Sequence, residues 1–216
     1  MSAIPQSAVS NPPVSLQEYL RLEELAEYKS EFYQGEVFAM SGGSPEHNDV
    51  AGNVFAQLKN RLRGSGCRPS NSDQRIRIPA NGACTYPDVS IVCGERQFDE
   101  LDPQALNNPV VVIEVLSPTT ERYDRGRKFG LYRDLESLRE YVLVSVDSPS
   151  IEKFTRRDDG NWLMTPLQGL DAALSLESAD VTIPFGEIYE DIVFRPHDED
   201  ASEAASGTTE DGAASN

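Results

Sequence analysis

Val110-Val111-Val112-Ile113-Glu114-Val115-Leu116 is the most apolar run in the chain, and Pro109 and Pro118 bracket it. It is short, β-branched and closed by prolines, so it reads as a central strand buried on both faces. Period-two alternation puts Val110, Val112 and Glu114 on one face and Val111, Ile113 and Val115 on the other. Glu114 is therefore out of place. Removing the partner of a buried charge costs on the order of 3–5 kcal/mol, so a carboxylate near the end of such a strand calls for compensation. A metal, a lysine or arginine, or solvent at a cleft would supply it. A strand-end glutamate that simply faces water is the alternative.

The flanking segments define the architecture. Downstream, the pattern predicts a helix over 121–135, a strand over 141–146, shorter strands over 151–156, 161–166 and 173–177, and a last helical piece over 185–191. Upstream, 88–93 reads as a strand after Pro87, and the alternating 74–78 as a half-exposed strand. Val50, Val54, Phe55, Leu58 and Leu62 form one stripe of a helix over 45–63, which Gly64 and Gly66 end. Apolar runs on both sides of Gln34-Gly35 predict a hairpin. Ser15-Leu16-Gln17-Glu18 is a capping-box pattern that opens a helix to about Ala26. No repeat is visible. Helices flanking a central mixed sheet give an α/β (α+β) sandwich.

Composition narrows the function. The 216 residues carry 36 acids and 19 bases, for a net charge of -17. Residues 1–13 hold no charged side chain, and 196–216 hold six acids and no base, which predicts a disordered N-terminal segment and an acidic disordered tail. The domain between them, 14–195, keeps 30 acids against 19 bases. This balance argues against tight non-specific nucleic-acid binding, which needs Lys and Arg, but leaves room for a site where a bound cation supplies the positive charge. No apolar run approaches the roughly 18 residues of a membrane helix, and the N-terminus lacks a secretory pattern. Cys67, Cys84 and Cys93 are odd in number with no CxxC pair. They read as three thiols in a reducing cytoplasm, without a disulfide framework.

Two further residues join Glu114. Asp88 opens a strand directly after Tyr86-Pro87; alone it is an ordinary turn residue, but beside Glu114 the two carboxylates can converge on a hard divalent cation. Lys128, at helical spacing from Asp124, Tyr132 and Leu135, can reach back toward the carboxylate of the preceding strand, or can be an exposed lysine pairing with Asp124.

Pro87-Asp88 followed by Glu114 within Val-Val-Val-Ile-Glu-Val resembles the PD-(D/E)XK nuclease pattern, and within that superfamily the chain is similar to the Uma-two family of restriction-endonuclease-like proteins. The likeness extends over Glu31-Phe-Tyr-Gln-Gly-Glu36-Val, Ser44-Pro-Glu-His47-Asn, Ser72-Asp73-Gln-Arg-Ile-Arg-Ile, Ile113-Glu-Val-Leu-Ser-Pro-Thr-Thr, Tyr123-Asp-Arg-Gly-Arg-Lys128-Phe and Glu140-Tyr-Val-Leu-Val, within about 14–194. It departs from the superfamily pattern at one point: Glu114-Val115-Leu116 has no lysine where Glu-x-Lys would place one. The resemblance implies that this lysine has migrated to Lys128.

The resemblance also implies a restriction-endonuclease-like core and Mg²⁺-dependent phosphodiester hydrolysis of DNA, with Mn²⁺ as an alternative metal. Asp88, Glu114 and the Val115 carbonyl would hold the metal, and Lys128 would orient water or stabilise developing charge. Glu31, His47 and Asp73 are accessory candidates. Arg75 and Arg77, and the cluster Arg122, Arg125 and Arg127, would either contact phosphates or form a solvated face. Trp162 reads as a packing residue. A homodimer is a family-level expectation. The competing reading is a non-catalytic nucleic-acid-binding or defence-accessory protein on the same scaffold, and a third is a hydrolase of another phosphate ester.

Overall fold

The computed structural model describes residues 12–194, so the two expected terminal segments lie almost wholly outside the described residues. The capping box is formed: Ser15 Oγ accepts from the Glu18 backbone N–H and α1 (Leu16–Leu25) begins there. The hairpin pairs β1 (Ser30–Tyr33) with β2 (Glu36–Ala39) around Gln34 and Gly35, whose φ values of 50° and 85° suit a two-residue turn. Ser44 caps α2 (Pro45–Arg61), with Pro45 at its first turn.

Seven strands follow in pairs or singly: β3 (Cys67–Asn71), β4 (Ile76–Ile78), β5 (Ala83–Thr85), β6 (Val89–Cys93), β7 (Val111–Val115), β8 (Glu140–Val144) and β9 (Ser150–Arg156). Between β7 and β8 lies a helical stretch in three parts: α3 (Glu121–Tyr123), a π-helical turn (Asp124–Lys128) and α4 (Phe129–Tyr132). The chain ends with β10 (Trp162–Gln168), β11 (Ala173–Leu176), β12 (Val181–Pro184) and α5 (Phe185–Ile188).

The main sheet has six strands in the order β10-β9-β8-β7-β6-β3, with β7 parallel to β8 and the other neighbours antiparallel. A four-stranded sheet, β2-β1-β5-β4, and the ribbon β11-β12 complete the mixed α+β architecture. As the sequence predicts, β7 is interior and every residue in it is buried. Its alternation sorts the two cores. Val111, Ile113 and Val115 pack with Val50, Val54 and Leu58 of α2, while Val112 packs with Leu131, Tyr132 and Tyr141 on the opposite face. Val110 precedes the strand and joins the first core instead. Both edge strands carry an internal proline, Pro69 in β3 and Pro166 in β10, each lacking the N–H that strand addition would use.

Four expectations need correction. β4 is buried throughout, because β5 and the segment around Leu106 cover it, and Arg77 is buried with it. The predicted 121–135 helix is shorter and contains a π-turn. The short strands β3 and β5, built of polar and small residues, and β12, with its alternating Val181 and Ile183, are not anticipated by the sequence reading. Finally, Cys67 and Cys93 form a disulfide, since they sit directly opposite each other in the β3–β6 register. That pairing depends on a strand and a register that cysteine spacing does not encode.

Cys84 remains a thiol, buried between strands, and burial pushes its pKa up to about 12 against the opposing pull of Arg77. The native, unreduced protein is therefore expected to resist iodoacetamide at neutral pH. Unfolding without reductant should expose one reactive thiol, and unfolding with reductant three, as counted by intact mass. Three labels without reductant would contradict the Cys67–Cys93 pairing.

Candidate active site

The sheet brings the candidate residues to one end. β6 runs antiparallel to β7 with Val89 opposite Ile113, so Asp88, just before β6, stands beside the last residues of β7. The Val115 backbone N–H donates to Asp88 Oδ2 at 2.8 Å. That bond fixes one carboxylate against the strand that carries the other.

Glu114 lies on the Val112 face and is fully buried. Its Oε1 accepts from Lys128 Nζ at 2.8 Å and from the Tyr132 hydroxyl at 3.2 Å. Its Oε2 is buried and has no hydrogen-bond partner among the described residues. An acceptor left bare at such depth costs free energy unless something else meets it.

Lys128 is also fully buried, at the end of the π-turn. A π-turn widens the helix by about one residue and leaves a backbone carbonyl in search of a donor. Here the Tyr141 hydroxyl donates to the Asp124 carbonyl at 2.9 Å. Lys128 Nζ thus lies among three carboxylates: Glu114 at 2.8 Å, Glu31 at 3.1 Å and Asp124 at 3.9 Å. Glu31, on β1, is held in turn by the Tyr86 N–H and the Tyr123 hydroxyl, both at 3.2 Å.

His47 is in the first turn of α2. Its Nε2 is 3.3 Å from Asp88 Oδ2, though off the line of a hydrogen bond. Gly43 seats the other side of the ring, where a Cβ would come within 2.7 Å of His47 Nδ1. The loop before α2 therefore passes against the imidazole at a position that only glycine fills without displacing it.

The electrostatics follow from burial and an excess of negative charge. Glu31, Asp88, Glu114 and Asp124 are all buried, and Lys128 is the one lysine among them. Burial pushes Glu114 well above the ordinary carboxylate range. Lys128 pulls it down, while Asp124 and Asp88 push it further up. Burial works against the Lys128 ammonium, but Glu114 and Glu31 more than offset it, and the lysine stays charged.

A divalent metal fits this donor set. Among the described residues, no three His, Cys, Asp or Glu side chains stand in ligand geometry. Magnesium, however, is commonly held by only one or two carboxylates with water completing its shell. The bare Oε2 of Glu114, beside Asp88 in a cluster rich in carboxylates, has the chemistry of such a half-built shell.

The structure thus brings together Asp88, Glu114, Val115, Lys128, Glu31 and His47. Asp73 stands apart, exposed and bonded to Lys29 Nζ at 2.8 Å. Four of the five candidate arginines have other duties, and Arg122 is exposed. Arg75 is buried against Asp102 and the Tyr86 hydroxyl, and Arg77 donates to the Ile78 and Ala83 carbonyls, so neither forms a solvated face or offers a free phosphate contact. Arg125 bonds Glu121 and Glu152, and Arg127 lies over Tyr33 and Phe38. Trp162 packs edge-on against Phe129. Tyr132, Tyr123 and Asp124 belong to the cluster as much as the predicted residues do. Their sequence signals were helical spacing from Lys128 for Asp124 and Tyr132, which an exposed helix pair would share, and a place in the Tyr123-Asp-Arg-Gly-Arg-Lys128 motif for Tyr123 and Asp124.

Comparison with known proteins shows the family and the fold. The Uma2 family, described as "Putative restriction endonuclease", matches residues 16–184. The chain is 39% identical over 183 residues to "Uncharacterized protein slr1290" of Synechocystis sp. (strain ATCC 27184 / PCC 6803 / Kazusa), covering 85% of this chain and 95% of that one. It is 34% identical over 157 residues to "Uncharacterized protein sll1609" of the same organism, covering 73% and 89%. A crystal structure described as "a putative nuclease belonging to DUF820" from Anabaena variabilis ATCC 29413 superposes with a TM-score of 0.69 at 16% identity, covering 84% of this chain and all of that one. That likeness shows the fold.

Removing the ammonium isolates the test of this cluster. Lys128→Met keeps the length of the side chain but leaves the surrounding carboxylates without it. Urea unfolding is expected to show a loss of about 3–5 kcal/mol. A loss below about 1 kcal/mol would mean that Lys128 is not the counter-charge of a buried cluster.

Proposed function

The chain belongs to the Uma2 family, and from that premise we propose that it is a Mg²⁺-dependent DNA endonuclease, hydrolysing phosphodiester bonds at the Asp88, Glu114 and Lys128 cluster. The observation that carries the reading is the buried Oε2 of Glu114, without a hydrogen-bond partner among the described residues, beside a second buried carboxylate and a buried lysine. Mn²⁺, with the same preference for oxygen ligands, is the natural substitute.

Asp88, Glu114 and the Val115 carbonyl would hold the metal. When bound, it supplies a water of lowered pKa and stabilises negative charge on the phosphate. The Val115 N–H holds the Asp88 carboxylate, with His47 Nε2 3.3 Å away, so that its position is set before any ligand arrives. Glu31 and Glu114 hold Lys128 charged at the floor of the site, where it can hold the attacking water by a hydrogen bond or meet charge that develops on the phosphate. Tyr132 shares Glu114 Oε1 with Lys128, which leaves Oε2 for the metal. The same reading takes a homodimer, one site per strand of a duplex, working in the cytoplasm.

Purified protein is expected to cleave double- or single-stranded DNA with Mg²⁺ or Mn²⁺ and not with a chelator. Asp88→Asn and Glu114→Gln, with unchanged circular dichroism, should each lower the rate by about a hundredfold or more. No cleavage of either substrate by the parent with either metal would favour the non-catalytic nucleic-acid-binding or accessory reading. Cleavage that survives both substitutions would place the site elsewhere.

A further inference from the structure

Cys67 and Cys93 face each other across β3 and β6 at the end of the sheet remote from the candidate active site. Asp88 precedes the first residue of β6 and Cys93 is its last, so about 17 Å of strand separates them. Both cysteines are half-buried, unlike Cys84. Cys67 lines a groove of about 350 Å³ whose other lining residues include Lys59, Arg63 and Arg68.

All three cations are exposed. Among the described residues, none has a carboxylate within ion-pair distance. Three exposed cations with no acid beside them therefore gather on one groove of a chain that carries 36 acids and 19 bases. The C-terminal end of α2 accounts for Lys59 and Arg63 in part, because its unpaired carbonyls attract positive charge. It does not account for Arg68, which comes from β3 and lines the same groove. An electropositive, partly exposed cysteine of this kind favours the thiolate and attracts anions.

We propose that Cys67–Cys93 is a reversible thiol–disulfide site, and that its basic groove takes a small anionic thiol of the glutathione class. In reduction, the thiolate of the incoming molecule attacks Cys67 Sγ. A bond forms between these sulfurs as the Cys67–Cys93 bond breaks, and the electron pair leaves on Cys93 Sγ, which takes a proton from solvent. A second small thiolate then attacks the small-molecule sulfur of the mixed disulfide and releases Cys67 as a thiolate. Two small thiols are oxidised to one disulfide and one cystine is reduced to two cysteines. Oxidation is the reverse, with the small disulfide as oxidant. The oxidised state ties the edge strand β3 to the strand whose other end follows Asp88, and a reducing compartment would hold the pair open.

The test is the charge preference of reduction in the oxidised full-length protein. Rates with glutathione, which is anionic, and cysteamine, which is cationic, are measured by alkylation and intact mass at low salt. Their ratio is then divided by the ratio for the same protein unfolded in urea, which removes the intrinsic reactivity of the two thiols. The native ratio should favour glutathione by about tenfold. It should fall to that of the unfolded chain in K59Q/R63Q/R68Q and in 1 M salt, where screening acts within about 3 Å. Arg68→Gln alone, at an exposed strand position, should move the ratio in the same direction. A native ratio equal to the unfolded one, a preference that survives the three substitutions, or a pair reduced only on unfolding would each overturn the proposal.

Discussion

Lys128 Nζ is held 2.8 Å from Glu114 Oε1 at a depth where neither side chain meets solvent. Desolvating two ions costs several kcal/mol each in order of magnitude, and their attraction offsets this only when the remaining polar atoms are also met. Much of the surrounding structure meets that condition. The π-turn presents Lys128, Tyr141 takes up the Asp124 carbonyl, Tyr132 shares the carboxylate, and the β1–β2 hairpin delivers Glu31 as a second anion for the ammonium. Lys128 thus links the four-stranded sheet to the helical stretch after β7, beside the Tyr123–Glu31 hydrogen bond and the packing of Arg127 over Tyr33 and Phe38. Glu114 Oε2 is left without a hydrogen-bond partner among the described residues, as are both ring nitrogens of His47. Under the proposed function, that unmet oxygen is the atom a bound metal would meet.

Much of the fold was legible because β7 declares itself. A β-branched run closed by prolines fixes a buried strand, and its alternation assigns Val111, Ile113 and Val115 to one core and Val112 to the other, as the packing shows. The Ser15 and Ser44 caps and the Gln34-Gly35 turn are local chemistry, and local chemistry can be read from neighbours in sequence. What stayed hidden was long-range. β3 and β5 are short, with small or polar residues, and become strands because of what they pair with. Arg75 and Arg77 looked like a charged face because a sequence does not reveal that Asp102 and two backbone carbonyls await their guanidinium groups.

The site shows the same division. Asp88 and Glu114 could be read as a pair from strand ends and the proline before one of them. Lys128 could be reached through family resemblance and helical spacing, but the π-turn that aims it has no evident marker in Asp-Arg-Gly-Arg-Lys. Tyr123 and Tyr132 read as ordinary helix aromatics, and only the folded chain makes them hydrogen-bond donors to Glu31 and Glu114. The cysteine reading failed for a related reason: 26 residues of separation say nothing of a register that sets Cys67 opposite Cys93.

The central claim is that the carboxylate-rich end of the sheet is half of a metal shell. Anomalous diffraction from crystals soaked in Mn²⁺ tests it most directly. The account predicts a peak bridging Asp88 and Glu114 Oε2, absent in Glu114→Gln crystals grown and soaked in the same way. Occupancy of other surface carboxylates with no peak between these two residues, or a peak there that persists in Glu114→Gln, would contradict it.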